Sequence, residues 1–163
     1  MIIRLKLQLA EEADVYEIQE VTEQEESVDF TGMHLLLVED NAINMEIAAM
    51  ILEQMGFEVD TAENGRIAVD KVSASSPGTY DLILMDIQMP VLDGYDATKE
   101  IRSLQDSRLS GIPVIAMTAN AFAEDIRAAE EAGMDGHIAK PIDIAVMKNT
   151  ISDVLSRQRH NTV

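Results

Sequence analysis

Asp86 is a candidate reactive group because it ends a run of four apolar residues. The run 82–85 reads Leu-Ile-Leu-Met, which is typical of a strand covered on both faces, and an irregular stretch follows it as far as Gly94. An Asp after a strand is most often a turn former or a helix cap. In an open parallel sheet, however, ligands bind beyond the carboxyl ends of the strands. The rest of the chain must decide between these two interpretations.

Four further polar residues end other apolar segments, and with Asp86 they form a set suited to phosphoryl transfer. These residues are Glu39, Asp40, Thr118 and Lys140. Three neighbouring carboxylates repel one another, and a divalent cation that prefers oxygen ligands, such as Mg²⁺, relieves the repulsion. A lysine and a hydroxyl can hold an incoming phosphoryl group, which a carboxylate can accept as an aspartyl phosphate.

Each of these residues, taken alone, has an ordinary explanation. Glu39 and Asp40 together are more often an N-cap pair for the following helix. Thr118 alone is more often a plain strand or cap residue, and Lys140 alone is usually solvated. Their joint position at the ends of four predicted strands favours the functional interpretation.

Strand and helix patterns alternate from Met33 onwards. The predicted strands are residues 35–38, 57–62, 81–85, 113–117 and 136–139, and the predicted helices are residues 41–55, 65–74, 94–105, 121–132 and 143–157. Five such repeats indicate an α/β protein, a flavodoxin-like (βα)5 three-layer sandwich with a parallel sheet in the order 2-1-3-4-5. Strands 1 and 3 are neighbours in this order, so we expect Asp40 and Asp86 to lie close together.

The first 32 residues differ in character from the alternating part. Residues 2–9 alternate between apolar and polar, as a half-buried strand does, and residues 11–29 contain acidic residues without a basic one. We therefore predict a strand-like remnant at 1–10, an acidic linker at 11–32, the main domain at 33–157 and a tail at 158–163. The strand at 2–9 is expected to be disordered or to pair with a neighbouring chain through its free edge.

Composition excludes several classes of function. The chain has 163 residues, a formal net charge of −18 and no cysteine. The absence of thiols excludes disulfides, thiolate metal sites and cysteine nucleophiles, and it fits a cytoplasmic location. The acidic balance argues against nucleic acid as a partner. No apolar run approaches the length of a membrane span, so no direct membrane contact is expected.

Six short motifs lie at the predicted strand and helix ends. They are Val38-Glu39-Asp40-Asn41, Met85-Asp86-Ile87-Gln88-Met89-Pro90, Asp93-Gly94, Met117-Thr118-Ala119, Ala132-Gly133-Met134-Asp135 and Lys140-Pro141. Together they resemble the response-regulator receiver domain of two-component signalling, over residues 33 to about 157. The resemblance implies a module that takes a phosphoryl group from phosphohistidine and then changes its protein contacts.

The resemblance also implies a metal site and a phosphoacceptor. Asp86 would accept the phosphoryl group, and Asp40 would bind Mg²⁺ directly. Glu39 would bind the metal through water, and Gln88 would contribute its backbone carbonyl. Mn²⁺ is a substitute metal in this expectation.

Thr118 and Lys140 would hold the phosphoryl group, and Thr118 would also act as a switch. The family often has Tyr or Phe three residues before the lysine, where this chain has His137. The imidazole either replaces the ring as a switch residue, adds pH dependence, or lies on the surface with neither role.

Asn41, Asn44 and the loop 89–94 further resemble receivers carried by hybrid histidine kinases. Residues 2–9 look like the last strand of a kinase ATP-binding domain, which suggests a fragment from the carboxyl end of such a kinase. The implied partner is a histidine kinase or a histidine phosphotransfer domain, as phosphodonor or acceptor. The parent would be a protein histidine kinase, whether membrane-anchored or not, although the receiver itself is not a turnover enzyme. Homodimers are expected through the N-terminal strand or through the face of strands 4 and 5.

The first predicted helix is expected to have a core side and a docking side. The apolar residues at helical spacing, taken as its core stripe, are Ile43, Ile47, Met50, Ile51 and Met55. The residues around that stripe are Met45, Ala48, Ala49 and Leu52. Whatever part of these stays exposed would dock the helices of the donor, as in the family.

Three other functions are alternatives to the phosphorylated switch. A non-phosphorylated interaction module would keep only the fold, which the complete acidic set argues against. A Mg²⁺-dependent phosphatase of the haloacid-dehalogenase type needs a second Asp two residues after the nucleophile, where this chain has Gln88. A flavodoxin-like cofactor binder is disfavoured because carboxylates crowd the place of the flavin phosphate.

Overall fold

The computed structural model describes residues 29–119 and 122–162, which form a parallel sheet flanked by helices. The strands are β1 (His34–Val38), β2 (Glu58–Ala62), β3 (Leu82–Asp86), β4 (Val114–Thr118) and β5 (Gly136–Ala139). The helices are α1 (Ala42–Gln54), α2 (Gly65–Ala74), α3 (Gly94–Arg102), α4 (Ser107–Ser110), α5 (Ala123–Ala132) and α6 (Ile144–Thr162). The predicted strand 2–9 and the acidic segment up to residue 28 lie outside the described residues.

The sheet has the order β2-β1-β3-β4-β5, and every pair of neighbouring strands is parallel. This confirms the predicted flavodoxin-like order. Val38 lies beside Met85, and Asp86 lies beside Met117. The polar residues that follow β1 and that end β3 and β4 therefore share one edge of the sheet.

Two apolar layers cover the two faces of the sheet, because alternate residues of a strand point to opposite sides. One layer joins strand residues such as Leu36 and Ile83 to α2, α3 and α5. The other joins Leu35, Leu84 and their neighbours to α1 and α6. All five residues of β3 are buried, as the continuous apolar run predicted. The expected three-layer sandwich is confirmed.

The buried side of α1 is not the predicted one. Ala48 and Leu52 are only 2% and 0% exposed, whereas Ile43, Ile47 and Met50 are 68%, 50% and 55% exposed. The prediction was wrong for these three residues. Apolar side chains occur on most sides of this helix, so their periodicity does not select one face. The small Ala48 and the branched Leu52 fill the space beneath the helix and leave the larger side chains outside.

The folded domain begins before Met33, within the stretch predicted to be linker. Phe30 is 2% exposed and stacks on Phe57 with ring centroids 4.7 Å apart. The backbone N–H of Thr31 donates a hydrogen bond to the Asp29 carboxylate at 2.9 Å. Burial of the two phenylalanine side chains contributes about 3 kcal/mol or more to the free energy of unfolding. This gain explains why the end of the acidic segment joins the core.

The last helix, α6, is longer than predicted. It runs to Thr162, so the segment expected to be a tail from residue 158 continues the helix. Its apolar residues Met147, Ile151 and Val154 pack against the sheet. Neither this helix nor any other in the described part of the chain has the length and apolar character needed to cross a bilayer.

Candidate functional site

A cavity of about 230 Å³ opens at the carboxyl edge of the sheet. The ends of β1, β3, β4 and β5 all contribute to its lining, as the sequence predicted. The lining residues are Glu39, Asp40, Asn41, Asn44, Asp86, Ile87, Gln88, Met117, Thr118, Ala119 and Lys140. The structure thus brings together all but one of the predicted site residues.

Lys140 lies between two buried carboxylates. Its Nζ atom is 3.2 Å from Oδ1 of Asp86 and 3.0 Å from Oε1 of Glu39. The second Glu39 oxygen, Oε2, accepts a hydrogen bond from the backbone N–H of Asn41 at 3.2 Å. The sequence placed Lys140 and Asp86 at one edge of the sheet but did not predict the bond of Lys140 to Glu39, which is 101 positions away in the chain.

The crowding of charges changes the ionisation of Asp86 and Lys140. Burial raises the pKa of Asp86 to about 6, the nearby Glu39 charge adds to the rise, and Lys140 opposes it. Burial acts to lower the pKa of Lys140, but its hydrogen bond to Glu39 and the charges of both carboxylates outweigh burial and raise it. The site therefore holds more negative charge than its single lysine balances.

The carboxylates of this site suit a divalent cation. Glu39, Asp40 and Asp86 each offer one carboxylate oxygen, and these oxygens lie within 4.8 Å of one another. Asp40 is exposed while the other two are buried, so the group opens to solvent on one side. Mg²⁺ binds through a few carboxylates and keeps several waters. The donor set therefore fits a magnesium ion, and Gln88 lies in the same lining.

Thr118 is inside the site, and His137 is outside it. Thr118 is buried at the end of β4, and its carbonyl accepts a hydrogen bond from the backbone N–H of Lys140 at 2.8 Å. His137 lies beside Ala116 in β5, is exposed, and does not line the cavity. A switch function of His137 would therefore act on the β4–β5 face.

The loop after Asp86 contains a strained turn. The backbone N–H of Leu92 donates a hydrogen bond to the carbonyl of Pro90 at 2.8 Å, which closes a three-residue γ-turn around Val91. Val91 has a φ of 72°, a left-handed conformation that is unfavourable for a β-branched residue. Its side chain is 78% exposed, so little packing offsets the strain.

Val91→Gly is expected to raise the free energy of unfolding by about 1 kcal/mol, because relief of strain outweighs the added flexibility of glycine in the unfolded chain. The measurement is the midpoint of urea unfolding. Val91→Ala is the matched control, since it shortens the same exposed side chain without allowing the left-handed backbone. An equal gain for both variants would contradict a backbone origin.

A second, more apolar groove lies beside the cavity and was not anticipated from the sequence. It has a volume of about 470 Å³ and lies between α1 and the segment that follows Lys140. The lining residues are Glu39, Asn44, Ile47, Ile51, Lys140, Pro141 and Ile142. The sequence feature that could have predicted this groove is the number of apolar residues on α1, which is larger than one buried face can accommodate.

Comparison with known proteins identifies the family. Residues 35–152 match the response regulator receiver domain, and the chain belongs to this family. A peroxide stress-activated histidine kinase of Schizosaccharomyces pombe is 35% identical over 127 residues, which are 77% of this chain and 8% of that protein. The sensor protein GacS of Pseudomonas syringae is 41% identical over 109 residues, 66% of this chain and 12% of that protein. The chain thus spans only a small part of these relatives.

Solved receiver domains of sensor kinases have the same fold. That of sensor histidine kinase PA1611 from Pseudomonas aeruginosa is 38% identical, with a TM-score of 0.66 over 78% of this chain and 97% of that one. Its crystal structure has a magnesium ion coordinated in the active site cleft. The receiver of the Arabidopsis thaliana histidine kinase CKI1, solved with Mg²⁺ and BeF3⁻, is 31% identical, with a TM-score of 0.69 over 78% and 92% of the two chains. The predicted family and its link to hybrid kinases are confirmed.

Proposed function

We propose that this receiver accepts a phosphoryl group on Asp86 and thereby switches protein contacts in a phosphorelay. The observation that supports this most directly is the close group of carboxylates from Glu39, Asp40 and Asp86, two of which, those of Glu39 and Asp86, pair with Lys140. A buried carboxylate with a raised pKa in a cleft is typical of functional sites, because its charge costs stability in the resting state. The receivers of sensor kinases described above, which were solved with Mg²⁺, support the same assignment.

The metal site of the proposal uses four residues. Asp40 and Asp86 would hold Mg²⁺ directly, Glu39 through water, and Gln88 through its backbone carbonyl, with Mn²⁺ as a substitute. When bound, the metal would neutralise charge on the carboxylates and on the phosphoryl oxygens. The closeness of the three carboxylate oxygens, within 4.8 Å, supports this assignment.

In the proposed transfer, an oxygen of Asp86 attacks the phosphorus of a phosphohistidine. An O–P bond forms while the N–P bond breaks, and the electron pair of the broken bond stays on the imidazole nitrogen of the donor. Lys140, whose Nζ is 3.2 Å from Asp86, would pair with the negatively charged phosphoryl oxygens. The hydroxyl of Thr118 would donate a hydrogen bond to a phosphoryl oxygen.

Phosphorylation of Asp86 would then change the conformation of the face formed by β4 and β5. Phosphorylation adds charge to a buried site, so Lys140 would be drawn from Glu39 towards the phosphoryl group. Thr118 ends β4 and Lys140 follows β5, and the exposed His137 of β5 would change its surroundings when these residues move. The output is altered protein binding, including homodimers through this face or through the segment 2–9, which the sequence predicts to be a strand.

We place the phosphodonor at the apolar groove beside the cavity. Ile47 of α1 lines this groove and is exposed. Ile43 and Met50 of α1 and Ile144 and Val146 of α6 are exposed as well, although they do not line it. Apolar side chains at helical spacing accept the apolar face of a partner helix. The partner would be the helical histidine module of a kinase or a phosphotransfer domain, and the chain would be part of a hybrid histidine kinase acting in the cytoplasm.

The test of this function uses acetyl phosphate and Mg²⁺ with the wild type, Asp86→Asn and Asp96→Asn. Asp96 is an exposed carboxylate of α3 outside the cavity, which makes it the matched control. Intact-mass spectrometry is expected to find one added phosphoryl group on the wild type and on Asp96→Asn, and none on Asp86→Asn. Chelation of the metal is expected to abolish the addition.

Two other outcomes would favour the rival functions. A wild type that gains no phosphoryl group and shows no change with Mg²⁺ and beryllofluoride would be a non-phosphorylated interaction module. Steady turnover of a small phosphomonoester would instead favour an aspartyl-phosphate phosphatase.

A further inference from the structure

The N-terminus of α2 contacts the loop that follows Asp86. The backbone N–H of Gly65, the first residue of α2, donates a hydrogen bond to the carbonyl of Leu92 at 3.1 Å. A Cβ atom on Gly65 would lie 2.3 Å from that carbonyl oxygen, so only glycine allows this approach. Neither Gly65 nor Leu92 lines the cavity. An effect of Gly65 on the site must therefore pass through the loop.

The same loop is fixed to the end of β3 by a second close approach. The backbone N–H of Gly94 donates a hydrogen bond to the carbonyl of Ile87 at 2.8 Å. A Cβ atom on Gly94 would lie 2.4 Å from the carbonyl oxygen of Asp86. The loop that carries Gln88 is thus held at two places after Asp86, by Gly94 at the start of α3 and by Gly65 at the start of α2.

We propose that Gly65 is a positioning residue for the metal site. Its contact with Leu92 holds the loop so that the Gln88 carbonyl can join the carboxylates of Asp40 and Asp86. This inference rests on the proposed function, in which that carbonyl is a Mg²⁺ ligand. Mg²⁺ demands nearly ideal octahedral geometry, so a small displacement of one ligand weakens binding. α2 therefore influences the metal without contributing a side chain to the cavity.

Gly65→Ala tests the proposal through Mg²⁺ affinity, measured by isothermal titration calorimetry on the full chain. The added Cβ meets the backbone of Leu92, which must move. We expect the Kd for Mg²⁺ to rise about ten-fold, the size of effect that residues supporting metal ligands commonly have. A purely structural role would lower the unfolding midpoint and leave the Kd of the folded protein unchanged.

Gly78→Ala is the matched control for loss of stability. Gly78 has a φ of 92°, which is strained for alanine, but nothing lies within 4 Å of the added Cβ. It lies in the turn before β3, at the end of the strand opposite Asp86. We expect a lower unfolding midpoint and an unchanged Kd for Mg²⁺.

Asn64 provides a second route if Gly65→Ala does not fold. The Asn64 side chain caps α2 by accepting a hydrogen bond from the backbone N–H of Ile67 at 2.9 Å. Asn64→Ala, which loosens the first turn of α2, is expected to weaken Mg²⁺ binding, and Asn64→Ser, which can still cap the helix, to restore it. If Gly65→Ala binds Mg²⁺ with the wild-type Kd, the positioning role is wrong but the proposed function stands. If Gly65→Ala does not fold, a wild-type Kd in Asn64→Ala leads to the same conclusion. A wild type that neither binds Mg²⁺ nor accepts phosphate would overturn the proposed function as well.

Discussion

Asp86→Asn is expected to make the metal-free protein more stable at pH 8, by about 1–3 kcal/mol in the free energy of unfolding. The reason is the cost of a buried charge. Burial and the charge of Glu39 raise the pKa of Asp86 from 3.8 to about 6 in the folded state. Above pH 6 the wild type must keep this carboxylate ionised in a crowded site, whereas asparagine is neutral.

The gain in the free energy of unfolding of Asp86→Asn over the wild type is expected to increase with pH. The folded state binds the Asp86 proton more tightly than the unfolded chain, so protonation stabilises the fold. That stabilisation is present below about pH 4 and is lost as the pH rises to about 6. The difference between variant and wild type should therefore be near zero at pH 4 and reach its full size above pH 6. Urea unfolding in the presence of a chelator, at pH values between 4 and 8, measures it.

Asp96→Asn is the control, because Asp96 is an exposed carboxylate outside the cavity. Its stability relative to the wild type is expected to vary little over the same range. A variant Asp86→Asn that is less stable than the wild type at pH 8 would mean that the pairing of Asp86 with Lys140 outweighs the cost of burial.

Arg102→Met is expected to lower the free energy of unfolding by about 3 kcal/mol. The Arg102 guanidinium donates hydrogen bonds to the carbonyls of Gly133, Ser110 and Ile112 at 2.9, 2.6 and 2.7 Å. It also pairs with Asp135 at 2.9 Å. One side chain of α3 thus joins the segments before β4 and after α5. Methionine would take the guanidinium donors away from three backbone carbonyls and from Asp135, which would keep its hydrogen bond from the backbone N–H of Val114.

Two further variants separate this network from a simple charge effect. Arg102→Lys keeps the charge but cannot reproduce the planar fork of donors, so we expect it to recover only part of the loss. Arg108→Met removes an arginine that is 74% exposed and pairs with Asp106 at 3.4 Å, and it should cost less than about 0.5 kcal/mol. The measurement is again the midpoint of urea unfolding. A loss in Arg102→Met no larger than that in Arg108→Met would contradict the structural role.

The sequence by itself determined the parallel sheet and which strand-end residues meet at one edge of it. Short apolar runs separated by helical patterns specify a parallel sheet, because consecutive parallel strands need crossover helices. Once the order is given, the residues after the strands must converge on one edge, which is how Asp40, Asp86, Thr118 and Lys140 were found. Local patterns suffice here, since each residue's place depends on its own strand.

The tertiary structure alone decided which groups touch and which faces are buried. The bond between Lys140 and Glu39 depends on the lateral positions of two strand ends, and the approach of Gly65 to Leu92 depends on how α2 packs. The exposed face of α1, which includes Ile47, was mispredicted because a helix that is apolar on most sides has no unique preferred orientation. Packing against a particular sheet surface selects one of those orientations, and periodicity carries no information about that surface.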